Sequence, residues 1–215
     1  MSTDISLQRN IAALIPTLSS GEVEKFTDTW LDAYASYFGH SFSSSVTHQP
    51  FQWVIRSSLI DILMSFGLSN KIPEGSPIFD SLLSTWNNLQ PREGAVEVLE
   101  KLSTKYQLGL LSNGDTNTLQ AAARVFPSLN KSLILSSDYP ANCFKTCSAM
   151  YAQALDAVHG DLTKVFHVAG SAFDANGART FGIFSGAIDS SAMHTEPQPC
   201  FAFDDIRQLL TFFDV

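Results

Sequence analysis

The sequence predicts an α/β protein in which an N-terminal helical region precedes a Rossmann-like parallel sheet. In the first 86 residues apolar side chains recur every three or four positions, as at Val23, Phe26 and Trp30, which is the period of an amphipathic helix. After Gly94, short unbroken apolar runs alternate with amphipathic segments, a pattern typical of parallel strands covered by helices. With 215 residues, of which 45% are hydrophobic and 16% charged, the chain can bury a full core.

The helical region carries recognisable start signals. Ser19 and Glu22 form a capping-box pattern, which predicts that a second helix opens there. Pro50 and Pro77 each stand before a helical pattern, where proline is favoured because its missing N–H is not needed in the first turn. We therefore expect at least three helices and no strand between residues 5 and 86.

The second half of the chain reads as repeated strand and helix. The apolar runs that we predict as strands are residues 108–111, 133–135, 165–169, 181–188 and 200–203. The amphipathic segments that we predict as helices are residues 94–105, 118–126 and 149–158, and Asp204 is predicted to cap a last helix that ends at Phe213. We expect residues 1–90 to form the helical region and residues 91–215 to form the α/β core, as one compact unit.

Charge and composition exclude several kinds of partner. A net charge of −8 gives no general attraction to nucleic acid or to anionic lipid, so a small-molecule substrate is the expected partner. No apolar run approaches the roughly 20 residues of a membrane span, and the N-terminus lacks the features of a secretory signal. We therefore expect a cytoplasmic protein with no nucleic-acid or membrane partner.

The three cysteines do not suggest a disulfide framework. Cys143, Cys147 and Cys200 are too few and too unevenly spaced for one, and the first two have no nearby histidine to complete a zinc site. We predict that all three are reduced thiols.

Polar residues follow the first and second predicted strands of the core. Ser112 and Asn113 precede Gly114 at the carboxyl end of the first, where backbone N–H groups and a helix dipole could bind an anion. The alternative is an ordinary Asn-Gly turn with a helix cap. Lys145 follows the second strand, with Tyr151 six residues later. Lys145 is either a residue of the site or an ordinary solvated charge.

The third predicted strand of the core places more polar groups at the same sheet edge. Ser171 and Asp174 follow it, although Asp174 could simply cap the next helix. His167 lies within the strand, on the same face as Ser171, and is either a general base or a satisfied core histidine. These residues are candidates for acid and base work.

The order and spacing of these residues resemble the second, third and fourth motifs of the haloacid dehalogenase (HAD) superfamily, and are most similar to its L-2-haloacid dehalogenase, or type II, branch. The motifs that carry the resemblance are Ser112-Asn113-Gly114, Lys145 with Tyr151, and Ser171-Ala172-Phe173-Asp174 with Gly177-Ala178-Arg179. The helical region resembles the inserted cap of that branch, through Trp30, residues 50–68 and Trp86. The resemblance covers nearly the whole chain from Leu14 onward.

The resemblance and the residues together define the candidate site. The catalytic candidates are Lys145, Asp174 and Ser112, and the substrate-binding candidates in the core are Asn113, Tyr151 and Ser171. The cap adds Trp30 and, from an aromatic stripe that could equally be packing, Tyr34 and Trp53.

The sequence departs from the family at its first motif. There an apolar strand ends in an aspartate that attacks the substrate, but here Asp4 follows only three residues and precedes a helical pattern. Ala169 and Ser171 stand where the family has serine and asparagine, and Leu31 stands where a substrate-binding arginine is expected, for which Arg56 could substitute. We therefore expect no aspartate ester.

The missing segment also bears on architecture and cofactors. In the family it is the central strand, so its neighbours would keep unpaired edges that the N-terminal helix or a second subunit could cover, and we expect a homo-oligomer. The metal-using branch binds magnesium through the first-motif carboxylate, and Asp174 alone is insufficient. We expect neither a metal nor another cofactor.

Three functions remain open. The first is a HAD-like enzyme that performs acid/base chemistry, such as cyclisation, lactonisation, isomerisation or elimination, on a small organic acid or carbonyl compound. The second is a non-catalytic protein that binds a ligand or partner. The third is a hydrolase with another nucleophile, for which Ser112 and Cys143 are the candidates.

Overall fold

The computed structural model describes residues 3–40, 47–138 and 140–215. The chain divides into two compact units, Met1–Arg92 and Glu93–Val215. The described part of the first unit contains helices and no strand, whereas the second contains strands that pair in parallel, with helices between them. The predicted α/β class is therefore confirmed.

The helices of the first unit begin close to their sequence signals. They are α1 (Thr3–Leu14), α2 (Ser20–His40), α3 (Phe51–Ser65) and α4 (Pro77–Ser84). The glutamate half of the capping box is present, because Glu22 Oε2 accepts from the Ser19 backbone N–H at 2.8 Å and also from the Ser19 hydroxyl at 2.7 Å. Ser76 Oγ accepts from the Phe79 N–H at 3.3 Å and caps α4, with Pro77 in its first turn.

Aromatic side chains form much of the core of the helical unit. Trp30 is fully buried, and its Nε1 donates to Ser58 Oγ at 3.0 Å, which satisfies the buried indole. Its ring contacts Phe26 and Trp86 edge to face, with centroids 6.2 and 5.8 Å apart. Among the described residues of the first twenty none lies in a strand, so this segment supplies no central strand to the sheet.

The second unit follows the predicted alternation with shorter elements. Its helices are α5 (Ala95–Leu102), α6 (Thr116–Ala123), α7 (Ser148–Asp156), α8 (Ala172–Phe181) and α9 (Gln208–Phe212). Its strands are β1 (Leu110–Leu111), β2 (Ile134–Leu135), β3 (Phe166–Ala169), β4 (Phe184–Ala187) and β5 (Phe201–Ala202).

Two predicted boundaries are wrong. Phe181 ends α8 rather than opening a strand, because Gly182 adopts φ 107° and closes the helix before β4. Asp204 does not cap the last helix, which begins only at Gln208, and the Asp204 N–H donates to Gln208 Oε1 at 2.7 Å. In that turn, the Asp205 carboxylate accepts a hydrogen bond from the backbone N–H of Arg207.

The strands form two parallel sheets rather than the single sheet that we predicted. β1 pairs with β2, and β4 lies between β3 and β5. Within the described residues β1 and β3 are not paired with each other, so each keeps one edge outside a ladder. Such unpaired edges are expected for the neighbours of an absent central strand.

Helix α8 approaches the loop before α7 closely at Gly177. A Cβ atom at this position would collide with Thr146 Cγ2 and with the hydroxyl of Tyr151. Ala175 and Ala178, on the same helix, are fully buried. Small residues on α8 therefore let Asp174, in its first turn, reach side chains from the neighbouring loop and helix.

Candidate active site

The carboxylate of Asp174 is the centre of a polar cluster in the α/β unit. Ser171 caps α8, with its Oγ accepting from the Asp174 N–H at 3.4 Å, so Asp174 is not itself the cap. Lys145 Nζ donates to Asp174 Oδ2 at 2.6 Å, and Tyr151 Oη donates to Oδ1 at 3.1 Å. His167 Nε2 lies 3.0 Å from the same Oδ1. The chain thus brings a cation, a phenol and an imidazole onto one carboxylate.

Lys145 is held at both of its ends. Its backbone N–H donates to Asn113 Oδ1 at 2.7 Å, which gives the Asn113 side chain a positioning role. Its Nζ also donates to the Leu111 carbonyl oxygen, at the end of β1, at 2.7 Å. The side chains of Lys145 and Asp174 are only 9% and 16% exposed, so this is a largely buried ion pair.

Burial and neighbouring charge set the protonation states of the cluster. Burial lowers the pKa of Lys145, and the nearby charge of Asp174 opposes this shift only in part. Burial also acts to raise the pKa of Asp174, but the hydrogen bond from His167 and the charge of Lys145 outweigh it and hold that pKa well below its usual range. The pKa of Tyr151 is raised, first by burial and then by Asp174. At neutral pH the carboxylate is ionised and the phenol is a donor.

His167, which the sequence allows to be either a general base or a core histidine, lies in this polar cluster. Its ring also contacts Tyr151 edge to face, with centroids 5.8 Å apart. The side chain is 12% exposed, and the structure gives Nδ1 no hydrogen-bond partner among the described residues. The period-two pattern of the strand, which puts His167 and Ser171 on one face, was the available signal.

The predicted anion corner after β1 is occupied by the protein itself. Ser112 Oγ accepts from the Gly114 N–H at 3.3 Å, as in an ordinary turn. Asp115 caps α6, its Oδ1 accepting from the Thr118 N–H at 2.8 Å, and the sequence reading missed this residue. An aspartate directly before a helical pattern was the signal for it. A catalytic role for Ser112 stays a prediction, as does a substrate-binding role for Ser171.

The prediction that all three cysteines are reduced is wrong for two of them. Cys143 and Cys147 form a disulfide, with Cα atoms 6.4 Å apart, because the loop around Lys145 turns them towards each other. Cys200 is a free thiol. Cys143 therefore has no thiolate to offer as a nucleophile in this state.

The candidates from the helical unit are engaged in packing. Trp30 is buried in the core, and Tyr34 packs against Phe38, Phe51 and Trp86 with ring centroids 4.4 to 5.9 Å away. Trp53 is 43% exposed and contacts the Tyr37 ring. Arg56 pairs with Glu74, with Nη2 2.6 Å from Oε1. The proposed substrate contacts of Trp30, Tyr34 and Trp53 stay predictions.

The described residues contain neither a metal-binding cluster nor a candidate membrane span. Over residues 3–40, 47–138 and 140–215 no group of three or more His, Cys, Asp or Glu side chains is arranged to hold a metal ion. Among the described helices, none combines the length and the hydropathy of a membrane span.

Comparison with known proteins identifies the fold. No protein-family model and no curated protein sequence matches the chain. Among solved structures, an L-2-haloacid dehalogenase superposes with a TM-score of 0.82 at 24% identity, over 98% of this chain and 92% of that chain. The L-2-haloacid dehalogenase from Xanthobacter autotrophicus gives 0.80 at 19% identity, over 98% and 93%.

A Bacillus subtilis protein assigned as a HAD-hydrolase gives a TM-score of 0.75 at 12% identity, over 98% of this chain and 92% of that chain. The resemblance seen in the motifs is therefore confirmed for the fold. The chain has the HAD fold, in the form that L-2-haloacid dehalogenases share.

Proposed function

We propose that this chain is a HAD-like enzyme that performs acid/base chemistry through Lys145 and Asp174, without an aspartate ester, on a small organic acid or carbonyl compound. Cyclisation, lactonisation, isomerisation and elimination are the reactions in question. The observation that carries the proposal is the buried Lys145–Asp174 pair, on which Tyr151 and His167 also converge.

The lysine has the means to act on a substrate. An ammonium group has three N–H donors, and the described residues occupy two of those on Lys145, at Leu111 O and Asp174 Oδ2. The third can donate to a carbonyl or carboxylate oxygen and stabilise negative charge that develops there. Because burial lowers the pKa of this lysine, proton transfer from it is easier than from an exposed lysine.

His167 belongs to the same cluster as Lys145 and Asp174. Its Nε2 contacts Asp174 while its side chain keeps some solvent exposure. The Asp174 carboxylate that binds the Lys145 ammonium therefore also fixes the position of the imidazole. We assign His167 as a positioning residue, acting through Asp174.

Ester formation on Asp174 is disfavoured by the same geometry. Three donors bind its carboxylate and its pKa is lowered, so its lone pairs are stabilised rather than free for attack. One Xanthobacter autotrophicus dehalogenase structure carries covalently bound chloropropionic acid, so that enzyme does form a covalent adduct.

A non-catalytic ligand-binding protein is the second candidate, because Asp174, Tyr151 and Lys145 all have protein partners already.

The proposal is tested by screening small organic acids and carbonyl compounds for thermal stabilisation of the full chain. Each stabilising compound is then incubated with the protein and followed by mass spectrometry. We expect Lys145→Met to reduce turnover by about a hundredfold or more, the scale of a lost acid/base contributor. Lys101→Met, which alters an exposed pair with Glu97, is the matched control and should keep full turnover. Binding without conversion supports the second candidate.

A further inference from the structure

Two cysteines bracket the lysine of the candidate active site. Cys143 and Cys147 are joined across a sequence separation of four, and Lys145 is the middle residue of the closed loop. Cys147 is also the N-cap residue of α7, the helix that carries Tyr151. The disulfide therefore connects the loop that presents one partner of Asp174 to the start of the helix that presents another.

We propose that Cys143 and Cys147 form a redox modification site that controls how firmly Lys145 is held. Both cysteines are partly exposed, so a small thiol or disulfide reagent can reach them. The effect on loop mobility follows from the geometry alone. The effect on catalysis rests on the proposed function.

Contacts around the loop confine the effect of disulfide reduction to residues near Lys145. Phe144 is fully buried and the Lys145 N–H donates to Asn113 Oδ1, and neither contact involves a cysteine sulfur. Reduction removes the covalent closure around Lys145, so the loop and the first turn of α7 open more often while the fold persists. Opening separates Lys145 Nζ from Asp174 and from the Leu111 carbonyl oxygen.

The chemistry is ordinary thiol–disulfide exchange. A thiolate of a dithiol reductant attacks one sulfur and forms a mixed disulfide, and the displaced cysteine sulfur takes up a proton. The second thiol of the reductant then displaces the other cysteine and leaves as a cyclic disulfide. Two electrons and two protons pass to the protein, and oxidised glutathione reverses the change. In cytoplasmic proteins, the location expected from the sequence, disulfides are usually transient and redox-sensing.

The test compares the full chain after treatment with oxidised glutathione and after treatment with dithiothreitol. Alkylation followed by mass spectrometry should find one reactive cysteine in the oxidised protein, Cys200, and all three in the reduced protein. Hydrogen exchange of the peptide spanning residues 141–152 should be about tenfold faster, or more, after reduction. A peptide from α3, in the helical unit, serves as the internal reference and should not change.

Variants separate the disulfide from other effects. Cys143→Ser combined with Cys147→Ser should exchange at the fast rate under both treatments, whereas Cys200→Ser should respond like the wild type. Three alkylated cysteines after oxidation, or equal exchange of peptide 141–152 in both states, would overturn the proposal.

The redox site and the proposed function can fail separately. If exchange responds to redox state while no compound is bound or converted in either state, the modification site stands and the proposed function fails. If a compound is converted, turnover should be about tenfold lower in the reduced protein, and equal turnover would contradict control of the active site by this disulfide.

Discussion

Replacing Lys145 with Met is expected to destabilise the α/β unit by about 2 to 4 kcal/mol. Removing one partner of a fully buried ion pair costs ~3–5 kcal/mol, because the remaining charge is left in a poorly solvated place. The side chains of Lys145 and Asp174 keep 9% and 16% exposure, which moves the expected value below that range. The substitution also leaves the Leu111 carbonyl oxygen without its donor.

The structure further predicts that the two partners are coupled. Asp174→Asn should also destabilise, because it leaves the Lys145 ammonium buried without a counter-charge. The double variant should be less destabilised than the sum of the single variants, by about 1 to 3 kcal/mol, as for residues in direct contact. Tyr151 and His167 would then bond to the amide instead of the carboxylate.

The assay must report the correct unit. All three tryptophans, Trp30, Trp53 and Trp86, lie in the helical unit, so tryptophan fluorescence follows that unit alone. Urea unfolding is therefore followed by hydrogen exchange of peptides from β3 and α8 at each urea concentration, and the midpoints and slopes are compared. Peptides from α3 report the helical unit in the same samples.

Lys101→Met provides the matched control for this cycle. Lys101 Nζ lies 2.8 Å from Glu97 Oε1, but those side chains are 52% and 64% exposed, so the midpoint should change little. Strict additivity of Lys145→Met and Asp174→Asn, or a midpoint for Lys145→Met equal to that of Lys101→Met, would refute the reasoning.

Three further predictions concern pH, packing and assembly. Burial lowers the pKa of Lys145 below the ~10.4 of an unfolded chain, so between the two values the unfolded state binds more protons. The urea midpoint of the wild type should therefore rise with alkaline pH up to about pH 10, relative to Lys145→Met. Gly177→Ala should displace the Tyr151 hydroxyl, because the added Cβ would collide with it. We expect the free energy of unfolding, measured in urea, to fall by about 1 to 3 kcal/mol. Light scattering should show self-association either of the full chain or of a variant lacking residues 1–17, because unpaired strand edges favour association.

Each of these has a clear contrary outcome. A parallel pH dependence of wild type and Lys145→Met would remove the buried lysine as its source. Gly21→Ala, on a helix with no atom within 4 Å of the added Cβ, is the packing control and should be neutral or stabilising. A soluble monomer both with and without residues 1–17 would contradict the assembly prediction.

Local patterns in the sequence were sufficient for the elements and for part of the site. Ser19 and Glu22 predicted the start of α2 because a capping box involves only neighbouring residues. Lys145 and Asp174 could be expected close together because parallel strands end on the same side, and they are in contact although their strands belong to different sheets. The alternation of short apolar runs with amphipathic segments predicted the fold class, because each of these patterns is also local.

Features that depend on distant contacts were beyond the sequence. The pairing of strands decides whether one sheet or two forms, and no local pattern reports that β1 and β3 stay apart. The three cysteines were too few and too unevenly spaced to suggest a disulfide framework, but the separation of four residues between Cys143 and Cys147 allowed these two to meet once the loop had formed. His167 was ambiguous because its role depends on Asp174, which another element supplies.

The central claim is that this site acts on a small organic acid or carbonyl compound without an ester intermediate, and mass measurement tests it most directly. The full chain is incubated with each stabilising compound and, separately, with 2-chloropropionate, and both the intact protein and the small molecules are weighed. We predict conversion of a stabilising compound with its mass unchanged or reduced only by water, no adduct on the protein, and no chloride above a blank that contains Lys145→Met. Release of chloride or phosphate, or an ester trapped on any residue, would contradict the account and indicate a hydrolase.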